Sequence, residues 1–132
     1  MISMPSKHID KLEELTPKLS KFCSHTNGDM IQYEIERGTS FGFKLLSEKS
    51  ISAARVFTSK GSRYPKHNHK QREYMLVYKG KIIVHLGDSG EEKILNVGDC
   101  IYIPPDTPHY VDFPEDSWVL AVTIPKGDGF PE

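Results

Sequence analysis

The sequence has little of what would tie it to a membrane, a nucleic acid or an oxidising compartment. Its 132 residues hold two cysteines, Cys23 and Cys100, far apart and in no CxxC pair. A disulfide-stapled scaffold is therefore excluded, and both are read as free thiols serving packing. Neither sign of charge dominates: 17 lysines and arginines face 18 aspartates and glutamates, a formal net charge of −1. That balance offers no electrostatic case for nucleic acid or an anionic membrane surface. No apolar run approaches the length needed to cross a bilayer. The opening "MISMPSKHIDKLEEL" lacks the apolar core of a secretory leader, so a cytoplasmic location is expected.

What is present divides at about residue 26. Residues 7–23 place Ile9, Leu12, Leu15, Leu19 and Phe22 at three- and four-residue spacing, the pattern of an amphipathic helix. Pro17 interrupts it, with Thr16 placed to cap a second short turn. Residues 1–26 are thus expected to form a helical arm that covers part of a domain spanning 27–132. From residue 30 the pattern changes to short β-branched and aromatic runs: "MIQYEIE", "FGFKLL", "ISAARVFT", "EYMLVYK", "KIIVHL", "EKILNV", "DCIYIP", "HYVDF" and "WVLAVTIP". Turn signals such as "SKGSRYP", "GDSG" and "PPDTP" separate them. Many short strands at even spacing predict an all-β sandwich or barrel.

The stretch "GSRYPKHNHKQREYMLVYKG" carries the chemistry. In a strand, residues two apart point to one face, so His67 and His69 are expected to project together. Glu73 joins them if the chain keeps phase. Two imidazoles and a carboxylate suit a divalent first-row metal, and suit calcium or magnesium poorly. His109, at the start of "HYVDF", is the expected fourth ligand. His8, His25 and His85 have no such company and are read as surface or packing residues.

These residues resemble the cupin family. Gly61 is followed by five residues, His67-Asn68-His69, three residues, Glu73, six residues and Gly80, which fits the first cupin motif at every specified position. Gly98, then Pro104 after five residues, then His109 fit the second. Two positions depart from it: Asp106 stands where glycine is usual, and Phe113 where asparagine is usual. Aspartate tolerates left-handed backbone better than most residues, so the turn at Asp106 is expected to survive.

The resemblance implies a jelly-roll β-barrel of the RmlC-like kind. It implies that His67, His69, Glu73 and His109 bind one divalent transition metal: iron, manganese, nickel, zinc, cobalt or copper. Four protein donors would leave one or two positions for a small molecule. It also implies metal-centred chemistry on a small organic substrate, dioxygenase-like first, with isomerase, decarboxylase or lyase chemistry behind it. A non-catalytic small-molecule binder or sensor acting with a partner protein is the alternative.

Strand parity would send Met75, Val77, Val111 and Phe113 inward with the ligands, giving a mostly apolar pocket. Arg55 and Arg63 are candidates to meet a carboxylate, and Tyr64 and Tyr102 to supply a proton. A homodimer is expected, because the strands near residues 30–46 would otherwise leave a sheet edge open.

Overall fold

The computed structural model describes residues 30–126. The expected helical arm and the residues beyond 126 lie outside the described residues. Within them the chain forms ten strands. These are β1 (Met30–Ile35), β2 (Gly38–Glu48), β3 (Ile51–Thr58), β4 (Arg63–His67), β5 (Arg72–Lys79), β6 (Ile82–Leu86), β7 (Glu91–Leu95), β8 (Cys100–Ile103), β9 (His109–Asp112) and β10 (Ser117–Ile124).

The strands make two antiparallel sheets. One has six strands in the order β1-β2-β3-β10-β5-β8, the other four in the order β4-β9-β6-β7. Consecutive strands are often not neighbours: β10 lies between β3 and β5, and β9 between β4 and β6. This is the jelly-roll arrangement, in which the inner faces of two sheets enclose one core.

Nine of the ten strands fall on the runs read from the sequence. β4 does not, because Pro65 and the preceding Gly-Ser stretch read as a turn. It is five residues long, and its pairing is interrupted by a register shift, a setting in which a proline without an N–H is tolerated.

The core lies between the sheets. Val77, Ile82, Val84 and Ile103 are fully buried there. Burying each such side chain favours the fold by about 1.5–3 kcal/mol. Strand alternation puts the opposite set outward. On the outer face of the six-stranded sheet, Phe57 and Trp118 lie with ring centroids 5.3 Å apart, and Phe43 and Trp118 lie 5.8 Å apart.

Left-handed backbone recurs at the turns. Gly61, Gly80 and Gly98, three glycines of the sequence motifs, have positive φ. At Gly80 the need is also steric: a Cβ there would overlap the Asp116 carbonyl oxygen and the Ser117 hydroxyl. Asp106 adopts φ 56°, so the aspartate makes the turn that glycine would have made.

Candidate metal centre

The three histidines arrive by three different routes. His67 ends β4 and His109 begins β9, and the two are register partners in the four-stranded sheet. The register shifts between Tyr64 and His67: three steps along β4 match two along β9, from Val111 to His109. The extra residue is a β-bulge, and it lets Tyr64 and His67 share the inner face although they are an odd number of residues apart.

His69 is not on that strand. It sits in the loop from β4 to β5, so the expected i, i+2 strand geometry is not what brings it beside His67. The loop crosses from one sheet to the other, and its His69 carbonyl is held by the Asp106 N–H at 2.8 Å. Glu73 follows on β5, in the other sheet, paired with Ile103 of β8 and Thr123 of β10.

The side chains converge. Ligand atoms of His67, His69 and His109 all lie within 4.8 Å of one another. Glu73 adjoins two of them, its Oε1 being 3.0 Å from His69 Nε2 and 3.4 Å from His109 Nε2. His109 is 2% exposed.

The other ring nitrogens are tied to the backbone. Nδ1–H of His67 donates to the Pro65 carbonyl at 2.9 Å, that of His69 to Gln71 at 3.0 Å, and that of His109 to Thr107 at 2.8 Å. A carbonyl only accepts, so each Nδ1 carries the proton and each Nε2 of a neutral ring is left with a lone pair. Backbone carbonyls hold metal-ligating histidines in this way, fixing both tautomer and ring orientation. In a neutral ring, the lone pair of His69 Nε2 would face the Glu73 carboxylate at 3.0 Å, acceptor against acceptor. That contact is favourable only with a cation between or beside them: a proton on the imidazole, or a metal ion.

Burial pushes the Glu73 carboxyl up, but with the His109 and His69 rings protonated at Nε2 their hydrogen bonds and charge outweigh it and hold it at about 2. The group is thus a carboxylate, as a ligand must be. The donor set fits a first-row transition ion: imidazole nitrogens with one carboxylate oxygen, half-buried or buried, in mutual reach.

A cavity of about 60 Å³ opens beside these residues. Met75, Val111 and Phe113 line it, as strand parity predicts, and Tyr64 does too. Val77 does not line it; it is packed in the core at 0% exposure. Val56 and Thr58 of β3, Ile82 of β6, and Val119 and Ala121 of β10 complete the wall. These were not picked out from the sequence. Alternation in β3 and β10 marks their inward face, but nothing local says that β10 lies between β3 and β5.

The remaining candidates face elsewhere. Arg55 is buried on the outer side of the large sheet, its guanidinium 5.5 Å from the Phe43 ring and 5.9 Å from Trp118. Arg63 makes a two-point pair with Asp112, Nε–Oδ1 at 2.7 Å and a second contact at 3.1 Å. That pair holds the Asp112 carboxyl below the usual range. His85 donates to the same carboxylate at 3.0 Å and stacks on Tyr110, so it is a packing histidine of the small sheet's outer face. Tyr102 is 43% exposed and lies against Tyr74.

No curated protein sequence matches the chain. Solved structures do. An RmlC-like cupin from Shewanella frigidimarina aligns over 76% of this chain and 88% of its own, with 21% identity and a TM-score of 0.66. KdgF from a Halomonas species aligns over 77% and 92%, with 25% identity and a TM-score of 0.66. A predicted oxalate decarboxylase from Thermotoga maritima aligns over 72% and 90%, with 23% identity and a TM-score of 0.64. Residues 55–125, more than half of the chain, match the family described as Cupin domain, and the protein belongs to that family.

Proposed function

We propose that the protein holds one divalent transition-metal ion through His67, His69, Glu73 and His109 and uses it for chemistry on a small organic molecule, with a dioxygenase-like reaction favoured. The observation that carries this reading is the state of the ring nitrogens. Three Nδ1–H groups are tied to carbonyls, and three Nε2 atoms, together with a carboxylate, are left pointing at one another. Three imidazoles and an acid gathered without a cation would be costly; gathered around one they are a ligand set.

When bound, such an ion supplies Lewis acidity and, if it is iron or manganese, electron-transfer capacity. The chain's own residues would do the rest. The β4–β9 pairing and the His69 loop hold the donors in place. Val111, Phe113 and Met75 keep water from the far side of the cavity. The Tyr64 side chain, on the cavity wall with its ring 5.4 Å from that of His67, is the nearest candidate to exchange a proton with a bound molecule.

The test has two parts. Metal analysis of protein purified without an affinity tag or added metal is expected to show one transition ion per chain. Oxygen uptake with a panel of small oxygen chelators is then expected in the metal-loaded protein and not after chelation. One ion per chain with ligand binding but no turnover of any panel member would instead support a binding or sensing protein that acts through a partner.

A further inference from the structure

The centre's ligands leave open what kind of molecule it would take. The two arginines proposed to meet a carboxylate are turned away from the cavity, and Arg72, within the motif, is exposed and does not line it. Arg55 packs on Phe43 and Trp118 behind the large sheet, and Arg63 is engaged with Asp112 behind the small one. Beyond the imidazoles and Glu73, the described wall consists of aliphatic and aromatic side chains, with Thr58 and Tyr64 as its hydroxyl bearers. Thr58 is already bonded to Ser40, 3.0 Å away.

Charge then decides between ligands. A divalent ion with the Glu73 carboxylate leaves one positive charge at the centre. A singly charged chelate neutralises it. A dianion leaves a net negative charge against Val111, Phe113 and Val119, and an uncompensated charge in apolar surroundings is expensive. Size points the same way. About 60 Å³ has room for a few heavy atoms, against roughly 300–1,000 Å³ for pockets that enclose drug-sized ligands.

Resting on the metal reading above, we infer that the cavity selects a small oxygen chelate of no more than one negative charge, carrying a compact apolar body, and disfavours dicarboxylates. The ion grips the oxygens, and the wall formed by Met75, Val111 and Phe113 takes the apolar end.

The test is binding, not turnover. Protein loaded with cobalt(II), its metal content measured first, is titrated with acetohydroxamate, propionohydroxamate and oxalate. The visible absorption of the ion reports occupancy. Each affinity is divided by that of the same ligand for the free aqueous ion. Acetohydroxamate is expected to be favoured over oxalate at least ten-fold by this ratio. The added methylene of propionohydroxamate is expected to tighten binding by up to about four-fold, the equivalent of ~0.8 kcal/mol per buried methylene. Arg63→Ala is expected to leave the oxalate affinity unchanged. An oxalate ratio equal to or above that of the hydroxamates would overturn the inference, as would loss of oxalate binding in Arg63→Ala. Protein that takes up no cobalt would overturn the metal reading as well, before any ligand is added; stoichiometric cobalt with oxalate preferred would overturn the ligand class alone.

Discussion

The backbone N–H of Asp106 donates to the carbonyl of His69 at 2.8 Å. It joins the loop that delivers one histidine to the turn that precedes another, since His109 follows Asp106 by three residues. Asp106 can aim its N–H this way because its φ is 56°, in the left-handed region. Asp106→Gly is therefore expected to keep the turn and the metal affinity. Asp106→Val is expected to cost ~1–2 kcal/mol of stability, because a β-branched residue resists that backbone. It should also weaken metal uptake by about 10–100-fold, the usual effect of disturbing a ligand's support. Urea denaturation and a metal titration of both variants check this.

His69→Ala is expected to lower metal content sharply while the fold persists. The core of Val77, Ile82, Val84 and Ile103 makes no use of this loop residue. Metal analysis and circular dichroism on the same sample decide it. Loss of the fold would mean that the ion is structural.

Acid should destabilise the metal-free protein through Glu73. Its carboxyl lies at about 2 when folded, against an ordinary value near 4.3 when unfolded. A lowered folded pKa means that the unfolded chain takes up the proton first. While both imidazoles are protonated, the contribution is present above about pH 4.3 and is lost as pH falls toward 2, with a size on the order of 3 kcal/mol. In Glu73→Gln that part of the pH dependence should vanish from thermal melts recorded between these values.

Phe113 is 7% exposed and lines the cavity without offering a donor atom to a metal. Phe113→Ala is expected to lose ~3–5 kcal/mol of stability, the usual cost of emptying a buried aromatic site. Metal stoichiometry should be unchanged. Denaturation curves and metal analysis separate the two effects.

We also expect a homodimer. Within the described residues β1 forms the edge of the six-stranded sheet, paired along its length with β2 alone. The outer face beside it carries Phe41, Phe43 and Phe57. Open edges and apolar faces of this kind are usually covered. Light scattering across a range of concentrations should give about twice 15.0 kDa; a mass near 15.0 kDa throughout would refute the dimer.

Much of this protein was determined by sequence alone, and for local reasons. Strand runs announce themselves through β-branched and aromatic residues, so nine strands were legible. The donor types and their motif spacing name His67, His69, Glu73 and His109, because few chemistries want three imidazoles and an acid together. Asp106 could be read as a left-handed turn because its side chain tolerates that backbone.

Tertiary structure decided the rest, because it depends on which distant segments pair. β4 was hidden by Pro65, and only its partner β9 reveals it as a strand. The bulge between Tyr64 and His67 sets which side chains face inward, and a bulge is a property of two strands together. His69 and Glu73 reach the site through a crossing between sheets, not through the parity of one strand. Whether Arg55 and Arg63 point at the cavity or away from it was settled by their partners, an aromatic face for one and Asp112 for the other. Those partners lie in other strands, at separations that no local pattern encodes.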